Sequence, residues 1–118
     1  MMEADLDALL KTLCARTFPD VAKEGTAAPY IVWQGIGGRS LRAIDGGHGN
    51  ARNTFMQISV WAQTRLEALT LIRQVEDALV ASALFKVSRP DAEPLNTHEE
   101  STNLYGSIQR FSIWSSRS

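Results

Sequence analysis

Between Asn53 and Leu79 the apolar period changes from that of a strand to that of a helix within a few residues. This restricts the chain to folds that lay a helix back over the strand preceding it. Met56, Ile58 and Val60 alternate with Gln57 and Ser59, the pattern of a half-buried strand. Thr64-Arg65-Leu66-Glu67 then reads as a capping box, in which the Thr64 hydroxyl and the Glu67 carboxylate satisfy backbone N–H groups left unpaired at a helix start. Ala68, Ile72, Val75 and Leu79 recur at helical intervals, so one stripe of that helix faces the sheet that holds Met56, Ile58 and Val60.

The 118 residues predict one domain over 1–118, able to bury roughly two thirds of the surface its unfolded chain exposes. Such a domain needs neither a disulfide nor a metal staple. Cys14 is the single cysteine, and its place on an apolar helical stripe marks a small buried hydrophobe in a reducing compartment. The start, Met1-Met2-Glu3-Ala4-Asp5, is acidic where a secretory signal is basic, and no apolar run approaches a membrane span. The expectation is a soluble, unprocessed intracellular product.

Leu6, Leu9, Leu10 and Leu13 predict a first helix running to about Arg16 and ended by Phe18-Pro19, with acidic residues at its N-terminus. The segment through Gly25 reads as a connection. Tyr30-Ile31-Val32-Trp33 predicts a strand opened by Pro29 that fades from Gly35 to Gly38. From Gly37 to Arg52 the composition is that of a long mobile loop, the leading candidate site because loops of this length are usually functional or disordered. Leu84-Phe85-Lys86-Val87 begins a further strand, which Pro90 and Pro94 confine to an edge or a bulge. Leu104 to Trp114 closes the chain with apolar residues on both parities. The fold class is α+β, with a mixed, mostly antiparallel sheet of about four strands and two helices packed on it.

Twelve basic against thirteen acidic residues leave a formal net charge of −1, which gives no global support for a sequence-independent grip on nucleic acid. Locally, Arg39, Arg42 and Arg52 outweigh Asp45 in the central loop, whereas Asp91, Glu93, Glu99 and Glu100 outweigh Arg89 in the later one. Either these are two solvated loops, whose charges contribute little, or they are complementary patches that steer one subunit onto the next.

Signatures of chemistry are missing. Gly35-Ile36-Gly37-Gly38-Arg39-Ser40 lacks the Gly-Lys-Ser/Thr ending of a phosphate loop, and no helix follows it. His48 and His98 have neither a cysteine pair nor a helical His partner to support a metal. Glu76 and Asp77, adjacent on a helix, point apart and read as solvated side chains. No cofactor, metal or catalytic residue is expected. Phe55 and Trp61 lie on the strand parity opposite to Met56, Ile58 and Val60, so either the first helix covers that second sheet face or the domain associates laterally through it.

The Pro29-Tyr30-Ile31-Val32 strand, the Gly-rich loop, Gln57-Ile58-Ser59-Val60-Trp61-Ala62 and then Thr64-Arg65-Leu66-Glu67-Ala68 follow one another in a known order. With the ending Leu104-Tyr105-Gly106 and Gln109-Arg110-Phe111-Ser112-Ile113-Trp114, that order resembles the tail-completion, or tail-terminator, proteins of long-tailed bacteriophages. The resemblance implies a structural subunit without cofactor or chemistry, made in the bacterial cytoplasm from a phage or prophage and placed in the virion tail. It implies a ring, commonly hexameric, that caps the tail tube and joins it to the head, while the lone subunit is monomeric at ordinary concentration. Partners would be other copies, the tail-tube protein and the head-side connector protein; DNA would pass through the ring without specific binding, and no membrane is involved. The family supplies no fixed functional residues, so the candidates come from this sequence. They are Arg39, Arg42, Asp45, His48 and Arg52 of the loop, Glu99 and Glu100 of the acidic segment, and Phe55 and Trp61. The alternative is a small nucleic-acid- or protein-binding module using Arg39, Arg42 and Arg52, which would show a salt-sensitive DNA affinity.

Overall fold

The computed structural model describes residues 2–38, 51–90 and 92–116. The elements are α1 (Met2–Leu13), β1 (Thr17–Pro19), β2 (Tyr30–Gly35), β3 (Ala51–Ala62), α2 (Arg65–Ala81), β4 (Lys86–Val87), β5 (Leu95–Glu99) and β6 (Leu104–Ser116). One sheet runs in the order β1-β2-β3-β6-β4, with β5 also paired to β6. β1 lies parallel to β2, and the remaining pairings among the described residues are antiparallel.

β3 and β6 form the long central ribbon, from Ala51 opposite Ser116 to Ala62 opposite Tyr105. Met56, Ile58 and Val60 are buried on one face of it, as their alternation requires, together with Phe111 and Ile113 of β6 and Ile31 of β2. Onto this face α2 presents Ala68, Leu71, Ile72, Val75 and Leu79. Met2, Leu6 and Leu10 of α1 join the same core. The Trp33 indole donates to Asp7 Oδ1 of α1 at 2.9 Å, which fixes that helix over β2 on the same side as α2. Burial works to raise the pKa of Asp7, but the Lys11 and Trp33 hydrogen bonds more than offset it and hold the carboxyl below its ordinary 3.8.

At the start of α2 the Thr64 hydroxyl accepts from the Glu67 N–H at 3.1 Å, the first half of the expected capping box. Thr64→Ala should therefore lower stability by about 1 kcal/mol, with Thr64→Ser recovering most of it in thermal unfolding.

The sheet has six strands rather than about four, and both additional strands depend on pairing rather than on a hydrophobic pattern. The first is β1. Helix α1 ends at Leu13, short of the expected Arg16, because the Arg16 carbonyl accepts from the Ile31 N–H and so belongs to the sheet. Cys14 therefore lies just past the helix; it is half-buried, and its thiol donates to the Pro29 carbonyl at 3.3 Å. The second is β5, which follows Pro94. Eight residue steps separate Val87 from Leu95, but only five separate their partners Ile113 and Ile108 on β6, so the pairing breaks here into the bulge that the two prolines suggested. Arg89 ties the bulge to α2. Its Nη1 donates to both Glu76 and Asp77 at 2.9 Å, so these carboxylates converge on a cation instead of being merely solvated. The hydrogen bond from Arg89 to Asp77 and that charge's attraction, with Glu76 adding to them, raise the guanidinium's already high pKa.

Candidate functional site

With both helices on one side, the other face of the sheet carries no helix among the described residues. The strand registers set its composition. Tyr30 lies opposite Trp61 across β2 and β3, Phe55 opposite Ser112 across β3 and β6, and Ile108 opposite Leu95 across β6 and β5. Tyr30, Phe55, Trp61, Ile108 and Trp114 are all only half-buried there, and Leu95 is 66% exposed. Interleaved are Gln57 and Ser59, half-buried, and Arg110 and Ser112, exposed. One antiparallel face turned to water is ordinary, but its residues are usually polar. An aromatic-bearing face of this breadth has the composition of an association surface.

Trp61 is held in place from below. Atoms of its ring come within 2.8 and 3.0 Å of where a Cβ at Gly106 would stand, so only glycine lets the indole lie flat on the ribbon there. Next to it, burial and then the Glu99 carboxylate push the Tyr30 hydroxyl above its ordinary 10.

The charged candidates separate to the two ends of the ribbon. Arg52 is exposed opposite Ser115, at the end where Gly38 and Ala51 flank residues 39–50. Arg39, Arg42, Asp45 and His48, the expected mobile loop and Asp91 lie outside the described residues. Glu99 and Glu100 are exposed at the opposite end, where β5 turns into β6, and the Thr102 hydroxyl donates to Glu99 at 2.8 Å. Arg52 and Glu99 pair with Ser115 and Leu104 on the same strand, which puts the two ends roughly 35 Å apart at about 3.3 Å per residue. They do not meet within one subunit.

Arg65, passed over in the sequence as a spacer of the capping box, joins α2 to both strands of the acidic hairpin. Its Nη1 donates to the Gly106 carbonyl and its Nη2 to the Thr97 carbonyl, each at 2.6 Å, and the guanidinium lies 5.3 Å from the centre of the Tyr105 ring. The sequence signal was weak. Only its position at the first turn of a helix that faces the sheet marks it.

A cavity of about 560 Å³ opens beside the segment that holds Ser88 to Pro90 and includes Gln57, Arg89, Glu93 and Arg110 in its wall. A second, about 470 Å³, lies between the segment around Lys23 and the hairpin at Glu99. In the wall of the second, the exposed Thr102 hydroxyl donates to the Glu99 carboxylate on a surface turn. Among the described residues no group of three or more His, Cys, Asp and Glu is placed to hold a metal. His98 shares a hydrogen bond with Asn103 at 3.0 Å and packs on Tyr105. No helix among the described residues is long and apolar enough to cross a membrane.

A scan against protein families matches residues 1–116 to the model described as Tail completion protein gp17. The chain belongs to that family. Its role is accordingly a structural one in the phage virion tail. No curated protein matches the chain.

Proposed function

We propose that the chain is the subunit of a ring, commonly hexameric, that terminates the tail tube of a long-tailed phage or prophage and joins tail to head. The observation that carries this reading is the helix-free sheet face bearing Tyr30, Phe55, Trp61 and Trp114. In a member of a tail-completion family, such a face is the natural surface for other copies and for the tube. The partners are those copies, the tail-tube protein and the head-side connector protein, with DNA passing through the ring unread.

A closed ring needs a heterologous contact, in which one patch meets a different patch on the neighbour. In this reading Arg39 and Arg42 of one subunit face Glu99 and Glu100 of the next. The separation of Arg52 and Glu99 along β6 supports it, since opposite charges at opposite ends join head to tail.

Arg39→Glu with Arg42→Glu should abolish the caps that purified protein forms on tail tubes in electron micrographs. Adding Glu99→Arg and Glu100→Arg to the same chain should restore them. Normal capping by the one-sided variant would sink this pairing. Absence of wild-type caps, with a DNA affinity that falls steeply with salt, would replace the ring with the nucleic-acid module.

A further inference from the structure

The two edges of the sheet differ in whether they admit another strand. At β1, the Ile31 N–H donates to the Arg16 carbonyl and the Asp20 N–H to the Trp33 carbonyl, so residues 16, 18 and 20 face β2 and Thr17 and Pro19 face outward. The Thr17 N–H already donates to the Ala15 carbonyl, Pro19 has no N–H, and its carbonyl accepts from Val21 at 2.7 Å. That edge is closed. At the other side β4 has only Lys86 and Val87, whereas β5 runs from Leu95 to Glu99, contains no proline and, among the described residues, pairs on one side alone, with β6. Most of its residues are exposed.

Open edge strands are usually short, frayed or guarded by lysine. β5 is none of these. Arg65 anchors it through the Thr97 carbonyl and Asn96 Oδ1, and the Ser107 hydroxyl donates to Asn96 at 3.0 Å. Its flanking charges are acidic, Glu93 before it and Glu99 and Glu100 at its end, while the guanidinium of Arg65 is spent on carbonyls. A rigid, acidic, unpaired edge is suited to a basic extended segment that adds by backbone pairing.

With β1 closed, neighbouring sheets cannot continue edge to edge around a ring, so an added strand must come from a connection. The longest in the chain is that between Gly35 and Ala51, and it carries Arg39 and Arg42. We propose that the β5 edge receives a strand from that basic stretch of a second copy, so that main-chain hydrogen bonds as well as charge join neighbours. The inference rests on the assembly reading above and adds the mode of contact.

The probe is a synthetic peptide spanning Arg39 to Ile44, titrated into the full chain and followed by backbone amide shifts. A second peptide is N-methylated at Leu41 and Arg42, which removes one N–H from each edge and leaves the charge unchanged. The plain peptide should shift residues 95–99 and slow their hydrogen exchange, and the methylated one should bind roughly tenfold more weakly or worse. Glu99→Lys with Glu100→Lys should weaken both. Equal affinity of the two peptides would overturn strand addition while leaving the ring, tested separately by capping, untouched. Shifts confined to the aromatic sheet face would overturn it too, as would two-fold dimers of the chain alone with protected β5 amides.

Discussion

Phe111→Ala should destabilise the chain by about 3–5 kcal/mol, a fall in Tm of roughly 10–20 °C for a domain of this size. Phe111 is 2% exposed, lies opposite Met56 in the central ribbon and belongs to the core closed by α2. Removing its ring leaves a cavity among Met56, Ile58 and the helix that β3 is not free to fill, because Met56 is paired to Gly35 on one side and Phe111 on the other. The informative control is Phe55→Ala. Phe55 neighbours Met56 in sequence but points to the helix-free face, where it is half-buried. Its loss should cost far less stability and show itself in assembly. Similar losses of Tm for the two variants would mean that the faces have been assigned wrongly.

That contrast also separates what the sequence made legible from what it did not. β2, β3, α2 and β6 are readable because each buries one side, and burial on one side imposes a period. The parity of Phe55 and Trp61 marks the second face for the same reason. What covers that face is not readable. The Leu6 and Leu10 stripe of α1 would suit either side of a sheet, and the hydrogen bond from Trp33 to Asp7, together with burial in the core shared with α2, fixes the choice. β1 and β5 escape for a different cause. Thr17-Phe18-Pro19 is too short to carry a period, and Leu95-Asn96-Thr97-His98-Glu99 buries none of its residues fully, so nothing in the alternation distinguishes either from a loop. Their order comes from partners far along the chain, β2 for the first and β6 with Arg65 for the second. The charges of Arg52, Glu99 and Glu100 are plain in the sequence, but their placement at opposite ends depends on the β3–β6 register, which no local pattern specifies.

Arg65 is where this dependence is most open to test. Arg65→Met keeps an unbranched stem beside Tyr105 but removes the donors to the Thr97 and Gly106 carbonyls. Charge-assisted hydrogen bonds of this kind contribute more than neutral ones, so a loss of about 2–4 kcal/mol is expected, moderated by the partial exposure of the site. The effect should be local. Hydrogen exchange should accelerate across residues 95–99 while the paired amides of β3 keep their protection, because among the described residues β5 pairs with β6 alone and Arg65 is what ties it to α2. Arg65→Lys should recover little, since an ammonium cannot reach two carbonyls with the geometry of a planar fork. If acceleration were instead uniform over the sheet, Arg65 would be a general stabiliser of the fold. If it were absent, β5 would be held by its β6 ladder alone. A β5 released in the Met variant should also lose the Arg39 to Ile44 peptide although Glu93, Glu99 and Glu100 are all still present, which makes the order of that edge, and not its charge alone, the property that an incoming strand reads.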